Sequence, residues 1–271
     1  MRVGFIGLGS QGGPMARRII ECGFSTTLWA RRPASVEPFA DIPVKIAQSP
    51  AELAAASDLV CLCVVGEADI EEITSGEHGL LAGIAPGAVI AVHSTVHPDT
   101  CKALAKRASS KRVSVIDAPV SGGGPAAAKG HLMVMVGGQT DVVESCRPVF
   151  ETYGDPIVHL GELGTGQTTK LLNNLLFTAN LGTAATALAL AQSLGVAPDR
   201  LVEVVSRGSG NSFALNALGG VGGLDRLAPL AGPLLQKGVR LIVDLAEAAA
   251  ARGGAVLDAA DVALAMMGNP R

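Results

Sequence analysis

The feature that most constrains this chain is the run Gly7-Leu8-Gly9-Ser10-Gln11-Gly12, entered straight from the apolar residues Val3–Ile6 and left into a helical pattern from Gly13. A G-x-G-x-x-G turn between strand and helix opens a doubly wound α/β sheet. Its first glycine permits a tight turn, its second lets backbone approach a pyrophosphate, and its third lets helix and strand pack closely. The free N–H groups of the helix start then face the anion. Gly7, Leu8, Gly9, Gln11 and Gly12 are therefore the candidate cofactor cradle; the plainer reading is a glycine-rich turn that binds nothing. About twenty residues on, a chain that selects NAD places an acid to hold the ribose 2′-hydroxyl. Here the sequence reads Leu28-Trp29-Ala30-Arg31-Arg32-Pro33. No acid stands there, and the guanidiniums of Arg31 and Arg32 suit a 2′-phosphate, which favours NADP(H) over NAD(H). The alternative is an exposed arginine pair at a strand end.

Short Val/Ile/Leu runs at 2–6, 26–29, 59–65, 88–92, 113–117 and 132–136 alternate with helical stretches such as 13–21, 51–56 and 99–109. That is the pattern of βαβ units around a parallel sheet buried on both faces. From about residue 164 the strand patterns stop, and helices are expected at 165–194, 198–207, 212–219, 229–252 and 257–267. The chain reads as α/β, with a Rossmann-type NADP-binding domain over 1–162 followed by an all-helical substrate and dimerisation domain over 163–271. A long interdomain helix, roughly 45 Å at 1.5 Å per residue, leads the second domain. Its Ala/Leu-rich sides call for a partner, so a homodimer or higher homo-oligomer is expected.

The apolar stretch 175–194 carries Asn180, threonines and Gln192 and follows Lys170, Asn173 and Asn174, which favours a buried helix over a membrane span. A 48% hydrophobic, 17% charged composition excludes disorder. A net charge of −3 with scattered Lys and Arg gives no field to hold a polyanion, which argues against a nucleic-acid partner. Five cysteines without a CxxC pair, and no basic-then-apolar leader, point to reduced thiols and the cytoplasm. His78, His93, His97, His131 and His159 have no metal-ligand spacing. No nucleophile elbow is present either. His93, at a strand end, either lines a pocket or is a structural neighbour.

Four motifs carry a resemblance. They are the run from Gly4 to Ala16 around the glycine turn; His93-Ser94-Thr95; Asp117-Ala118-Pro119-Val120-Ser121-Gly122-Gly123; and Gly164-Thr165-Gly166-Gln167-Thr168-Thr169-Lys170-Leu171-Leu172-Asn173-Asn174. Read physically, Ser121 followed by Gly122 and Gly123 offers a hydroxyl and approachable N–H groups to a carboxylate. Lys170 and Asn174, four apart, share a helix face. Alone, the first would be loop chemistry and the second a lysine whose stem packs while its tip reaches solvent.

Together the motifs resemble the β-hydroxyacid dehydrogenases, the family of 3-hydroxyisobutyrate dehydrogenase and glyoxylate/succinic semialdehyde reductase. The resemblance implies an NADP(H)-dependent oxidoreductase that transfers a hydride between the nicotinamide and a small semialdehyde or its 3- or 4-hydroxy acid. It implies Lys170 as proton donor and acceptor, Asn174 orienting the substrate, and Ser121, Gly122 and Gly123 holding its carboxylate. It also implies Val64, Thr95 and Lys237 beside the cofactor. The chain departs from the family at Gln11, where Met is usual; at Gly238, which replaces the acid after Lys237; and at Leu230, where an aromatic residue is frequent. The departures at Gly238 and Leu230 bear on substrate identity more than on reaction type. The alternatives are an imine reductase-like enzyme, whose relatives usually lack the lysine, and a non-catalytic NADP(H)-binding regulatory module.

Overall fold

The computed structural model describes residues 1–271 and divides into two compact units, Met1–Lys170 and Leu171–Arg271. In the first, strands β1 (Val3–Ile6), β2 (Thr26–Trp29), β3 (Lys45–Ile46), β4 (Leu59–Leu62), β5 (Val89–Val92) and β6 (Ser114–Asp117) form one sheet. Their order is β3-β2-β1-β4-β5-β6, and every pairing is parallel. The order reverses between β1 and β4, which opens a crevice at the carboxyl ends of those strands.

Alternation along the strands divides the core into two clusters. Phe5, Leu28, Cys61, Ala91 and Ile116 join one, while Ile6, Val60, Leu62, Ile90 and Val92 join the other. With side chains alternating faces at period 2, both faces of the sheet are covered. Around the sheet lie α1 (Gly12–Glu21), α2 (Pro50–Ala55), α3 (Glu67–Thr74), α4 (Leu80–Gly83) and α5 (Pro98–Ser109). Helix α2 starts as its Ser49-Pro50 sequence predicts: the Ser49 hydroxyl accepts from Glu52 N–H at 3.1 Å, and the Glu52 carboxylate accepts from Gln48 N–H at 2.8 Å.

The stretch expected as a sixth parallel strand lies elsewhere. After Asp117 the chain turns into β7 (Val120–Ser121) and α6 (Gly123–Lys129), and β8 (Leu132–Val136) returns antiparallel to β7. With α7 (Thr140–Phe150) and β9 (Gly154–His159), it builds a separate three-stranded sheet ordered β7-β8-β9. One antiparallel bridge, Asp117 to Gly137, links it to the end of β6. Pairing with β7 takes up the β8 edge that a continued parallel sheet would need.

Helix α8 (Thr165–Ser193) crosses the boundary between the units and is about 43 Å long. The second unit otherwise comprises α9 (Pro198–Val205), α10 (Phe213–Val221), α11 (Leu224–Ala248) and α12 (Gly254–Met266). Its core gathers Leu171, Leu175 and Leu181 of α8 with Leu235, Val239 and Ile242 of α11 and Leu264 of α12. Helix α8 is long and apolar enough to cross a membrane by length and composition, yet here it is the core helix of this unit. Helix α11 begins five residues before the predicted start at Pro229, because each interior proline, Pro229 and Pro233, removes only one helical hydrogen bond.

Candidate active site

The glycine turn sits at the switch point. A Cβ on Gly7, whose φ is +100°, would run into the Cys63 carbonyl beyond β4, and one on Gly12 would strike the Gly7 carbonyl oxygen. Both glycines are thus dictated by packing. Gly9 has nothing within 4 Å of a Cβ position and leaves the turn open to a ligand. Leu8, half-buried, packs on the core below. The α1 N-terminus has no side-chain cap and no acid in its first turn; Gly13 N–H closes on Gly9 O at 2.8 Å, and the N–H groups before it are left to face an anion. Gln11 adds a buried Nε2 donor without a partner. Such an orphan is costly unless a ligand takes it up, and the cradle fits a dinucleotide pyrophosphate on these grounds.

At the end of β2, Arg31 reaches α3, pairing with Asp69 at 3.2 Å and Glu72 at 2.9 Å, while Arg32 is exposed. The two guanidiniums therefore differ: one is partly neutralised by carboxylates and the other is uncommitted.

The ends of β4 and β5 are tied together. Ser94 Oγ accepts from Val64 N–H at 2.8 Å, and Val64 itself follows the Cys63 carbonyl that abuts Gly7. Thr95 is half-buried, between Ser94 and Val96. His93 is a structural neighbour. It is fully enclosed, stacked 6.5 Å from Phe5, with Nδ1–H donating to Ala118 O at 2.7 Å and Nε2 accepting from the Tyr153 hydroxyl at 3.2 Å. Burial pushes its pKa down to about 4, so it stays a neutral imidazole at physiological pH, its one ring hydrogen committed to Ala118 O.

Ser121 ends β7 and Gly122 leads into α6 at Gly123, and the next residue, Gly124, lies so close to the glycine turn that a Cβ there would collide with the Ser10 carbonyl. The sequence-predicted carboxylate loop and cofactor turn are thereby neighbours. Lys170, one turn into α8, is only 9% exposed and its ammonium makes no hydrogen bond or ion pair. Burial pulls its pKa down to about 8. Asn174 stands four residues further on the same helix, half-buried. In the second unit, a Cβ on Gly238 would lie 3.6 Å from the Asn174 amide nitrogen, so an acid at 238 would sit beside that amide. Lys237 precedes it on α11, half-buried, and Leu230 is 71% exposed.

Two residues escaped the sequence reading. Asp117 and Gln167, both fully buried, hold the first turn of α8 against the strand ends. A strand ending in an acid, and a helix start lacking one of its own, were the available signals.

A glycine turn at the switch point of a parallel sheet, followed by a helix that carries a buried lysine, defines a pyridine-nucleotide-dependent oxidoreductase. Residues 2–161 match the family model described as the NAD binding domain of 6-phosphogluconate dehydrogenase, and residues 164–265 match that for NAD-binding of NADP-dependent 3-hydroxyisobutyrate dehydrogenase. The chain is 34% identical to 2-(hydroxymethyl)glutarate dehydrogenase of Eubacterium barkeri, over 80% of this chain and 72% of that enzyme. It is 33% identical to mitochondrial 3-hydroxyisobutyrate dehydrogenase of Mus musculus, over 82% of this chain and 66% of the relative. The solved structure of Mycobacterium tuberculosis 3-hydroxyisobutyrate dehydrogenase with L-serine superposes with a TM-score of 0.86 at 26% identity, covering 99% of this chain and 95% of that one. The chain belongs to the β-hydroxyacid dehydrogenase family, as its motifs led us to expect, and it is a dehydrogenase that uses NAD(P).

Proposed function

We propose that this protein reversibly reduces a small carboxylate-bearing semialdehyde to its 3- or 4-hydroxy acid with NADPH, and that Lys170 handles the proton. The observation that carries this reading is the partnerless, buried ammonium of Lys170. A structural lysine would extend its tip freely into water or pair with an acid; one only 9% exposed and without an acid beside it is suited to an oxygen that gains negative charge.

The glycine turn, with the orphaned Gln11 amide, would hold the pyrophosphate, and Leu8, Val64 and Thr95 would border the bound cofactor. Bound there, the nicotinamide supplies or accepts the hydride. Arg32, and Arg31 in so far as Asp69 and Glu72 release it, would face a 2′-phosphate, which supports NADPH over NADH. Ser121 with the Gly122 and Gly123 backbone would take the carboxylate. The Lys170 ammonium would stabilise the carbonyl oxygen as charge develops and then protonate it; in the reverse direction the neutral amine accepts the hydroxyl proton. A pKa near 8 places both protonation states within reach at neutral pH. Asn174, on the same helix face, would orient the substrate.

We also propose a cytoplasmic homo-oligomer. Leu172, Leu176, Leu190 and Leu194 of α8 and its end are exposed at spacings that fall on one helical stripe, a self-complementary apolar face suited to a second copy.

The test is NADPH oxidation over glyoxylate, succinic semialdehyde, methylmalonate semialdehyde and tartronate semialdehyde, repeated with NADH and with Lys170→Ala. The expected outcome is turnover of at least one, faster with NADPH, and a Lys170→Ala variant slowed by on the order of 10³-fold with unchanged NADPH affinity. A variant retaining most of its activity would remove the mechanism. Light scattering of the purified chain reads the oligomer.

A further inference from the structure

Lys170 has no partner to fix its ammonium, so the place where that charge stands is set by the backbone of the α8 first turn. That turn is held from far away in sequence. Asp117, the last residue of β6, is fully buried; its Oδ1 accepts from Gly164 N–H and its Oδ2 from Gln167 N–H, both at 2.6 Å. These are helix-start donors that a neighbouring Ser, Thr or Asp would ordinarily satisfy, and α8 has no acid in its own first turn.

The chain leaves room for the arrangement. A Cβ on Gly137 would lie 2.5 Å from Oδ1, and one on Gly166 would lie 2.8 Å from Oδ2 and strike the Met135 carbonyl. Burial raises the pKa of the Asp117 carboxyl, opposed by the N–H groups of Gly164, Gln167 and Gly166. The second fastening is Gln167, also fully buried. Its Oε1 accepts from Val96 N–H at 3.1 Å and its Nε2 donates to Ser94 O at 2.8 Å, bracketing Thr95. Ser94 in turn takes the Val64 N–H beside the glycine turn. Carboxyl and amide together thus run an unbroken set of hydrogen bonds from the ends of β4, β5 and β6 to the residue three positions before Lys170.

We infer that Asp117 and Gln167 are positioning residues for the reaction, clamping the start of α8 to the strand ends so that the Lys170 ammonium is set against the nucleotide side of the site. This rests on the role proposed for Lys170 above. Neither residue is required to touch substrate or cofactor.

The test is a double-mutant cycle in the full chain, with NADPH and whichever of the four semialdehydes the wild type reduces fastest. Gln167→Met keeps volume but removes both side-chain bonds. It is expected to lower kcat by on the order of 100-fold while KM and the NADPH Kd stay within about twofold. Gln167→Glu, which keeps an acceptor for Val96 N–H and in its protonated form a donor for Ser94 O, should recover part of the loss. In a Lys170→Ala background, Gln167→Met should cost nothing further, because the group it positions is gone.

A readout independent of turnover is the titration of the reductively 13C-methylated Lys170 amine by NMR. It should move from near 8 toward the ordinary lysine value of 10.5 in Gln167→Met. Losses that multiply in the double variant, a fall taken wholly in NADPH affinity or KM, or an unshifted amine would overturn the positioning role. Turnover of none of the four, or a Lys170→Ala variant as fast as wild type, defeats the functional reading and the proposal with it. Should Gln167→Met fail to fold, Asp117→Asn, which keeps volume and one acceptor oxygen but sets an NH2 group against a helix-start N–H, loosens the other fastening and carries the same expectations.

Discussion

Replacing Lys170 by Met removes a charge from an enclosed site while keeping the length and flexibility of the stem. The ammonium is driven from an ordinary pKa of 10.5 to about 8 by burial alone, with no partner in compensation. At roughly 1.4 kcal/mol per pKa unit, that difference makes the charged lysine about 3 kcal/mol more costly in the folded chain than in the unfolded one. Lys170→Met should therefore fold more tightly than wild type while losing turnover.

The sign follows from proton counting. Below about pH 8 the lysine is charged in both states and the wild type bears the whole penalty. Between about 8 and 10.5 the unfolded chain binds a proton that the folded chain does not, so wild-type stability climbs toward that of the variant; above 10.5 the two coincide. Thermal melting at pH 7 should show the variant higher by roughly 6–12 °C, at about 2–4 °C per kcal/mol for a chain of this order of size. That gap should close by pH 10.5. A variant that melts at or below the wild-type temperature, or a gap that does not change with pH, refutes the claim that burial without a charged partner is what lowers the pKa of this ammonium.

The glycine turn makes a contrasting pair of predictions. Gly9→Ala, with open space around its Cβ and an ordinary φ, should keep stability within about 0.5 kcal/mol yet weaken NADPH binding by about tenfold or more, read by nucleotide fluorescence. Gly12→Ala, whose Cβ meets the Gly7 carbonyl, should instead destabilise the fold by about 1–3 kcal/mol in chemical denaturation. At the 2′-phosphate end, Arg32→Ala should raise the NADPH Kd by about tenfold and leave NADH unchanged. Glu72→Gln, which removes one of the two carboxylate charges on Arg31 and leaves the Asp69 pair, should tighten NADPH by a few-fold relative to NADH in parallel titrations.

Local pattern sufficed where function depends on residues adjacent in sequence. The glycine turn is read directly, because strand, turn and helix follow each other within one unit, and the long helix announced itself by sheer apolar length. What stayed hidden is long-range. The β8 run is as apolar as any strand of the main sheet, and only its pairing with the two residues of β7 assigns it to a separate one. Strand β3 is two exposed residues with no alternation, and β9 is interrupted by Pro156, so neither carries a periodic signal. Asp117 reads as part of a substrate loop, yet its carboxyl points to backbone 47 and 50 residues downstream, a partnership no local window contains. His93 beside Ser94-Thr95 was equally compatible with pocket or core; packing against Phe5, Phe150 and Tyr153 decides for core.

The proton role of Lys170 meets its most direct test in the pH dependence of kcat/KM measured in both directions on one enzyme, reduction of the best semialdehyde with NADPH and oxidation of the matching hydroxy acid with NADP. Reduction needs the ammonium and should fall as pH rises through about 8; oxidation needs the free amine and should fall as pH drops through the same value, giving mirror-image limbs that vanish in Lys170→Ala. Limbs that bend the same way in both directions, or that persist without the lysine, would assign the proton to another group.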